Sequence, residues 1–218
     1  MTQFDPALLS QPDRYKFLIG AIVPRPIAFV STRSPEGKLN LAPFSFFAGV
    51  GSEPMSLLFC PANKADGSEK DSLRNAKPVI DGGTGEFVVN VASELYEREV
   101  AACAEPLAYG ESEFALSSLT PSACVMVAPP RVAESPISFE CRTLQVIRLA
   151  PGLPAGGNIV IGQVVYIHAR EDVVNERLHV NPDKLAAIAR MGGSMYVRTS
   201  DAKQRFEMPQ GKAAIGKL

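Results

Sequence analysis

Seven segments of the chain are rich in β-branched, aromatic and aliphatic residues and are bounded by turn-forming residues, a pattern typical of β-strands. They cover residues 24–32, 39–47, 55–60, 85–93, 137–149, 158–171 and 194–200. The first three are separated only by the turns RSPEGK and GSEP, which are too short for parallel crossovers. The pattern therefore predicts antiparallel pairing that begins with a three-stranded meander.

The second of these segments, NLAPFSFF, is unusual for a strand. It is apolar enough for a protein core, but Pro43 cannot donate a hydrogen bond to a sheet ladder. Two interpretations fit the residues alone. The segment is either a bent core strand or a bent strand that offers its backbone to a flat ligand.

The segment 137–149 changes its hydrophobic phase. Its apolar residues occupy odd positions as far as Cys141 and even positions from Leu144 onward. A side-chain period of two cannot change phase without an extra residue, so the pattern predicts a β-bulge or bend near Arg142–Thr143.

Three segments carry helix signals. Ser68, with an acidic residue three positions later, resembles a capping box in GSEKDSLRNA, and this helix is expected to end before Pro78. Ser93 is expected to cap the second helix, ELYEREVAACA. The third, NPDKLAAIARMGG, has Asn181 as its cap and Arg190 in its last turn, and is expected to stop at the Gly pair.

These elements predict a fold that is mostly β with added helices, and the short turns favour an antiparallel, Greek-key-like β-barrel. A length of 218 residues with 46% hydrophobic residues fits one globular domain. We expect a single domain over residues 1–218, with a core at about 15–200 and a C-terminal tail at 201–218. Residues 104–136 show no regular pattern.

Charge and hydropathy exclude several classes of partner. The net charge is −1 and the pI is near 6.2, which argues against binding to nucleic acid or to a membrane surface. No apolar run approaches the roughly 20 residues of a membrane span. The N-terminal residues also lack the charged and apolar regions of a signal peptide.

The cysteines and histidines give no sign of a metal site. The four cysteines, at positions 60, 103, 124 and 141, form no CxxC pair. All four lie far along the chain from His179, and all but Cys141 lie far from His168. We therefore expect no metal, free thiols and a cytoplasmic location. His168 fits a structural role better than a ligand role.

Motifs that carry side-chain catalysis are missing as well. The chain has no GxSxG, GxxxxGK[ST], HExxH or GxGxxG, and no clear pair of nucleophile and base. We therefore predict no catalytic side chain. If the protein is an enzyme, a bound cofactor carries the reaction.

The best candidate for a binding site is the stretch GSEKDSLRN, residues 67–75, because a helix start offers unpaired N–H groups. Lys70 adds a positive charge, and Ser68 and Ser72 add hydroxyl groups, a set that suits a terminal phosphate. A solvated helix start with Asp71 pointing outward explains the same residues. Two interpretations also fit Arg190, because it could bind a phosphate or only stabilise a helix dipole.

An ordered series of motifs narrows these alternatives. PRPIAFVST, NLAPFSFF, KDSLRN and EFVVN are followed by SEF at 112–114, IGQVVYIH at 161–168 and ARMGGSMY at 189–196. This series resembles the flavin reductase-like, FMN-binding split-barrel family, which includes flavoredoxin. The resemblance extends from about Tyr15 to Tyr196, and it is carried by the order of the motifs, since no single motif is specific.

The resemblance implies a split β-barrel that dimerises and holds FMN in a groove near the subunit interface. It implies that the NLAP turn lies beside the isoalloxazine ring, whose polar edge the N–H groups around Leu41, Ala42 and Phe44 could bond. It also implies that a KDT-type segment lies near the phosphate, here with Ser72 in place of threonine. Lys64 could substitute for an arginine that the family often has ahead of this segment.

The cofactor-binding residues expected on these grounds are Ser31, Thr32, Asn40, Leu41, Ala42, Pro43, Phe44, Ser45, Ser68, Lys70, Asp71, Ser72 and Arg190.

The leading functional hypothesis is an FMN-dependent oxidoreductase of the flavin reductase type. It would take electrons from NADH or NADPH as a transient donor and pass them to a flavin, to oxygen or to a redox-protein acceptor. Its expected partners are a second copy of the chain in a homodimer and these small molecules. The alternatives are a flavoredoxin-like electron carrier without nicotinamide activity and a non-catalytic flavin-binding module.

Overall fold

The computed structural model describes residues 1–206, so most of the expected C-terminal tail, residues 207–218, lies outside the described residues. The strands are β1 (Arg25–Pro26), β2 (Ala28–Arg33), β3 (Leu39–Phe44), β4 (Phe47–Ser52), β5 (Met55–Phe59), β6 (Glu86–Val91), β7 (Pro121–Ser122), β8 (Arg131–Val132), β9 (Ile137–Arg148), β10 (Asn158–Ala169), β11 (Ile188–Arg190) and β12 (Tyr196–Arg198). The α-helices are α1 (Gln11–Ala21), α2 (Asp71–Ala76), α3 (Glu97–Ala102), α4 (Glu113–Leu116) and α5 (Pro182–Leu185). Single 3-10 turns lie at Pro6–Leu8, Val79–Asp81, Glu94–Tyr96 and Ala202–Gln204.

The main sheet has seven strands in the order β3-β2-β6-β9-β10-β5-β4, and every pair in it is antiparallel. Its two edge strands, β3 and β4, are consecutive in the chain and are joined only by Ser45 and Phe46. A link of this length spans about 10 Å, whereas a flat sheet of seven strands is roughly 29 Å wide. The sheet must therefore curl until its edges approach each other, which gives the barrel.

The strand pairing differs from the expected meander in one respect. The segment 39–47 is not one strand, because the chain leaves β3 at Phe44 and enters β4 at Phe47. β2 pairs with β3 and β4 pairs with β5, so the prediction of three consecutive paired strands is wrong. Pro43 and the polar Ser45 mark the place where the chain passes from one edge strand of the sheet, β3, to the other, β4.

Two clusters of buried side chains lie on opposite faces of β2. Val30 belongs to the cluster inside the barrel, where the ring of Phe59 lies 5.1 Å from that of Phe44 and 5.2 Å from that of Phe87. Phe29 belongs to the outer cluster, which includes residues of α3 and α4. β2 is therefore covered on both faces, and the outer cluster fixes the segment after β6 against the barrel.

The predicted bulge in the segment 137–149 is confirmed. Along the β9–β10 pair, Ile161 faces Gln145 but Gly162 faces Thr143, so Leu144 is the extra residue. This is the position at which the apolar residues change phase in the sequence. A second shift, between Val164 and Tyr166, follows on β10.

The helix predictions hold in part. Ser93 accepts a hydrogen bond from the Leu95 N–H, and Asn181 accepts from the first turn of α5, so both caps are confirmed. However, α5 has four residues only, because Ala186 takes a left-handed conformation with φ 45°. The chain then enters β11, and the predicted helix over 186–193 is wrong.

Arg25 is a structural residue of the barrel. Its guanidinium is 3% exposed and donates to the carbonyl groups of Ile19, Ile22 and Met191, the last two at 2.8 and 3.0 Å. It thus ties the end of α1 to the segment after β11. Desolvation, and then the proximity of Arg190, lowers its pKa.

The four cysteines are free thiols, as expected. None of the helices within residues 1–206 combines the length and hydropathy that a membrane crossing requires.

We predict that Gly162→Ala destabilises the barrel. An added Cβ would lie 2.3 Å from Cζ of Phe87, inside the aromatic core, so either the ring or the strand must shift. Such overpacking costs about 1–3 kcal/mol of unfolding free energy. Urea unfolding measures it, and Gly49→Ala, whose Cβ would meet nothing within 4 Å, is the matched control. Equal losses in the two variants would contradict the packing argument.

Candidate functional site

The edge strand β3 presents one side of its backbone to no other strand. The Leu41 N–H points to this open side and donates to Oε2 of Glu113 at 2.7 Å. Because N–H directions alternate along an antiparallel strand, those of Ala42 and Phe44 point toward β2. The expectation that these three groups are free for a ligand is therefore wrong. Pro43 falls on the open side, where its missing N–H costs the sheet no hydrogen bond.

The start of α2 also differs from the expected arrangement. Asp71 is its first residue, and Lys70 at the N-cap provides no side-chain cap. The hydroxyl of Ser68 donates to Asp66 Oδ1 at 2.6 Å. This hydrogen bond belongs to a turn that precedes the helix. Ser68 is therefore not the helix cap. Nζ of Lys64 forms an ion pair with Asp71 Oδ1 at 2.9 Å.

Two buried hydrogen bonds hold α2 against the edge of the sheet. Nδ2 of Asn40 donates to Oγ of Ser72 at 2.9 Å, and Nδ2 of Asn75 donates to Oγ1 of Thr32 at 3.1 Å. Ser72 accepts in its contact, so its hydroxyl hydrogen remains available as a donor. Thr32 is fully buried in its contact.

Glu113 is the first residue of α4, which Ser112 caps through the Phe114 N–H. Its side chain reaches back to β3, and the residue is 6% exposed. Desolvation raises the pKa of Glu113, Asp71 raises it further, and the Leu41 N–H and Lys70 act in the opposite direction. The result is a carboxyl group that holds its proton more tightly than a solvated glutamate does.

These elements enclose a cavity of about 200 Å³ between β3, α2 and the segment after α3. The residues that line it are Asn40, Ala42, Pro43, Lys64, Lys70, Asp71, Ser72, Cys103, Ala104, Glu105, Pro106, Leu107 and Glu113. The β3 wall contributes two apolar residues, whereas α2 and the residues before it contribute both lysines, Asp71 and the hydroxyl group. Glu105 and Glu113 add two further carboxyl groups. The cavity thus has a neutral side and a charged side.

Lys70 is the uncompensated cation of this cavity. Lys64 is paired with Asp71, but Lys70 forms no ion pair within residues 1–206, and its Nζ lies 5.9 Å from the centre of the Phe44 ring. Desolvation lowers the pKa of Lys70 and repulsion from Lys64 lowers it further, whereas the carboxyl group of Glu113 acts in the opposite direction. An anion in the cavity would favour the charged form of Lys70.

The structure brings together six of the thirteen residues expected to bind cofactor. These are Asn40, Ala42, Pro43, Lys70, Asp71 and Ser72. The other seven do not line this cavity: Ser31, Thr32, Leu41, Phe44, Ser45, Ser68 and Arg190.

Several of these seven have other partners. Ser31 is fully buried, and its hydroxyl donates to the Pro130 carbonyl at 2.5 Å. Ser45 accepts from Nε of Arg25 at 3.3 Å. The alternation of strand residues indicates that Ser31 shares the face of Phe29 on β2, but it does not reveal such partners.

Arg190 lies on strand β11, not at a helix end, so the dipole interpretation is wrong for it. Its guanidinium donates to the hydroxyl of Tyr196 at 3.0 Å and to the Gly193 carbonyl at 2.8 Å. Nε of Arg190 is buried without a partner in the described part of the chain. These contacts fix the turn between β11 and β12.

Sequence reasoning missed the wall formed by residues 103–107 and Glu113. The segment carries no periodic pattern, and its place depends on the outer core cluster, to which Cys103 and Phe114 belong. The motif SEF at 112–114 was a signal for the position of Glu113, although not for its contact with Leu41. Tyr109 stacks against the guanidinium of Arg74 at 4.4 Å and lies outside the main cavity.

Comparisons with known proteins agree with this architecture. The model of the flavin reductase like domain family matches residues 20–189. Nitrilotriacetate monooxygenase component B from Bacillus cereus is 34% identical, with a TM-score of 0.86 over 95% of this chain and 98% of that chain. The 2-nitrobenzoate 2-nitroreductase NbaA from Pseudomonas fluorescens is 27% identical, with a TM-score of 0.80 over 95% and 96%.

The expected fold class is confirmed. A Shewanella frigidimarina protein whose structure has a split barrel domain matches with a TM-score of 0.75 and 18% identity, over 97% of this chain and 100% of that chain. At this level of identity the match concerns the fold alone. The antiparallel barrel of residues 25–169 is therefore a split barrel.

We predict that Glu113 makes the stability of the protein depend on pH. Because its pKa is raised above the usual 4.5, the folded state binds the proton more tightly than the unfolded chain does. The stabilisation is complete below about pH 4.5 and is lost as the pH rises through the folded value. Urea unfolding across this range should show the wild type losing stability relative to Glu113→Gln, which keeps an acceptor for Leu41.

The matched control is Glu105→Gln, since Glu105 is an exposed carboxyl group on the same cavity. Its difference from the wild type gives the baseline for the loss of a carboxyl group at this cavity. A Glu113→Gln difference no steeper with pH than this baseline would refute the assignment.

Proposed function

Because the chain belongs to the flavin reductase like domain family, we propose that it is an FMN-binding oxidoreductase that uses NADH or NADPH as electron donor. The observation that carries this proposal is the cavity with a neutral β3 wall and an uncompensated Lys70. FMN combines an uncharged ring with an anionic tail, and the two sides of the cavity match these parts.

The phosphate of FMN fits the charged side. Lys70 supplies a positive charge that no carboxylate of the described residues pairs with, and Ser72 supplies a hydroxyl donor. Asp71 opposes an anion, but its charge is engaged by Lys64 at 2.9 Å. α2 has only six residues, so its dipole adds little, and the ammonium group is the main attraction.

The isoalloxazine ring fits the neutral side. Ala42 and Pro43 form a short apolar wall, and Leu107 also lines the cavity. Since the N–H groups of β3 are already engaged, we assign to this wall the exclusion of water and the packing of the ring face, and not hydrogen bonding to the ring edge. Glu113 closes the inner end, where its raised pKa favours the neutral carboxyl group.

The size of the cavity supports the homodimer. Ligand pockets usually measure about 300–1,000 Å³, whereas this one measures about 200 Å³ in a single chain. It is also open to solvent on one side, so it holds part of FMN and leaves the rest uncovered. A second copy of the chain would supply the missing wall.

Bound FMN would accept a hydride from the nicotinamide and pass electrons on to a flavin, to oxygen or to a redox protein. The chain's own task is then to bind, to orient and to exclude water, which agrees with the scarcity of catalytic side chains. The similarity to nitrilotriacetate monooxygenase component B and to 2-nitrobenzoate 2-nitroreductase supports a redox role. The free thiols support a reducing, cytoplasmic location.

Stopped-flow mixing of the FMN-loaded protein with NADH or NADPH, without oxygen, tests the proposed reaction. We expect the visible absorbance of the flavin to bleach rapidly, at a rate that depends on the nicotinamide concentration. Bleaching only by a reduced partner protein would favour the electron carrier. If no donor bleaches the flavin, the protein is a flavin-binding module and the proposed enzyme activity is refuted.

We predict that Lys70→Ala weakens the binding of FMN more than that of riboflavin, because only FMN carries a phosphate. A charge-assisted contact is worth about 1.5–3 kcal/mol, or roughly a tenfold to hundredfold loss of FMN affinity. Flavin fluorescence quenching measures both ligands.

Ser72→Ala should show the same preference with a smaller loss. Lys16→Ala, which removes an exposed lysine of α1, is the control and should change neither affinity. Equal losses for FMN and riboflavin in the Lys70 variant would contradict the phosphate assignment.

A further inference from the structure

A second group of chemically active side chains lies outside the flavin cavity. Cys124, Glu140 and His168 come from three separate parts of the chain, and their donor atoms all lie within 4.8 Å of one another. Their contacts with one another are unlike those of an ordinary surface cluster, because the carboxylate of Glu140 is fully buried. The proposed flavin reaction uses none of the three.

The sheet fixes the relation between Glu140 and His168. Glu140 on β9 faces Tyr166 on β10, and Ser138 faces His168, so Glu140 and His168 are diagonal neighbours on one face of the sheet. The second register shift on β10, between Val164 and Tyr166, sets this phase. Nε2 of His168 lies 2.5 Å from Oε1 of Glu140.

The hairpin between β7 and β8 brings in the thiol. Three consecutive backbone N–H groups of its loop, from Val125, Met126 and Val127, donate to the Glu140 carboxylate at 2.6–3.1 Å. The loop therefore wraps around the carboxylate. Cys124, which precedes Val125 in this loop, is held near the same carboxylate. Backbone contacts thus hold the Glu140 carboxylate, and the sheet register holds the backbone of His168 beside it.

We propose that Cys124, Glu140 and His168 form a binding site for a zinc-class divalent cation, with a fourth coordination position open to solvent. Thiolate, imidazole and carboxylate are the three ligand types that Zn²⁺ takes in proteins, at 2.0–2.3 Å. Donor atoms on one tetrahedral ion lie roughly 3–4 Å apart, so the observed spacing needs shifts of about 1 Å. The backbone donors to Glu140 are the outer contacts that orient a ligating carboxylate.

Charge balance also suits a dication. Burial works against ionisation of Glu140, but the hydrogen bonds from Val125, His168 and Met126 outweigh it and hold its pKa below the usual range. Burial and the nearby Glu140 raise the pKa of Cys124 to about 12, so the thiol keeps its proton while no cation is present. On binding, the metal takes the place of that proton, which leaves to solvent, and the imidazole proton resides on Nδ1. One thiolate and one carboxylate then neutralise the two positive charges.

The open position has room for a further ligand. The side chain of His168 is 23% exposed and lines a cavity of about 380 Å³, together with Arg131, Tyr166 and Arg170. Nε of Arg131 is buried without a hydrogen-bond partner in the described chain. We assign the fourth coordination position to this side, where water or a small anion would lie near the guanidinium of Arg131.

Cobalt titration of the metal-free, full-length protein tests the site. We expect one Co²⁺ per chain and a thiolate-to-cobalt charge-transfer band in a difference spectrum, in which any flavin contribution cancels. Cys124→Ser should abolish the band. Cys60→Ser, which removes another partly exposed thiol, should keep it. No band in the wild type, or a band that survives in Cys124→Ser, would overturn the proposal.

His168→Gln removes the second proposed ligand, whose side chain is partly exposed. The substitution should weaken Zn²⁺ binding by ~10-fold to 100-fold. Alkylation of the wild type gives a readout that needs no variant. Zn²⁺ should slow the alkylation of Cys124 and leave that of Cys60 unchanged. Equal effects on the two thiols, or unchanged affinity in His168→Gln, would mean that the three residues form only a hydrogen-bonded cluster.

Discussion

The two-residue link between β3 and β4 is the constraint on which the rest of the structure depends. Because Ser45 and Phe46 join opposite edges of a seven-stranded sheet, the sheet cannot lie flat. Curling closes an aromatic core inside the barrel but leaves β3 without a partner on its outer side. That side has to be satisfied by other parts of the chain, and the buried carboxyl group of Glu113 does so at Leu41. The candidate flavin cavity is the space that remains between β3 and the segments that cover it.

The charges in this cavity follow from the same packing. α2 is held by the buried Asn40–Ser72 contact, which brings the residues before it to the mouth of the cavity. Lys64 then forms its ion pair with Asp71, whereas Lys70 lies near the Phe44 ring and forms no ion pair with the described residues. Without a ligand, the charged form of Lys70 is disfavoured at this place, because desolvation removes water from the ammonium group and lowers its pKa. This arrangement agrees with the proposed ligand, which carries an anion on an uncharged body.

Local patterns predicted the strands, the bulge at Leu144 and the caps at Ser93 and Asn181, because each depends on residues close in the chain. They did not predict the break after Phe44, because Pro43 and Ser45 indicate a bend but do not show that the two halves of NLAPFSFF pair with different strands. The segment 186–193 has a helical composition, yet it pairs with β1 and β12, so tertiary contacts override propensity. The contact between Glu113 and Leu41 joins residues 72 positions apart, and no local rule predicts it.

Residues 92–136 carry most of the chemistry that local patterns miss, and the topology explains why. β6 and β9 are antiparallel neighbours, which a turn of two residues could join. The chain instead inserts a long excursion between them, and its first half supplies Glu113 to β3 while its second half supplies Cys124 to Glu140. The barrel holds the positions of both sites through strand register, whereas the excursion provides Glu113 and Cys124 from outside the main sheet. Loops on a rigid scaffold commonly carry function in this way. The proposed flavin cavity and the proposed metal site therefore both depend on this one connection, which also supplies buried residues such as Val100 and Phe114 to the outer core cluster.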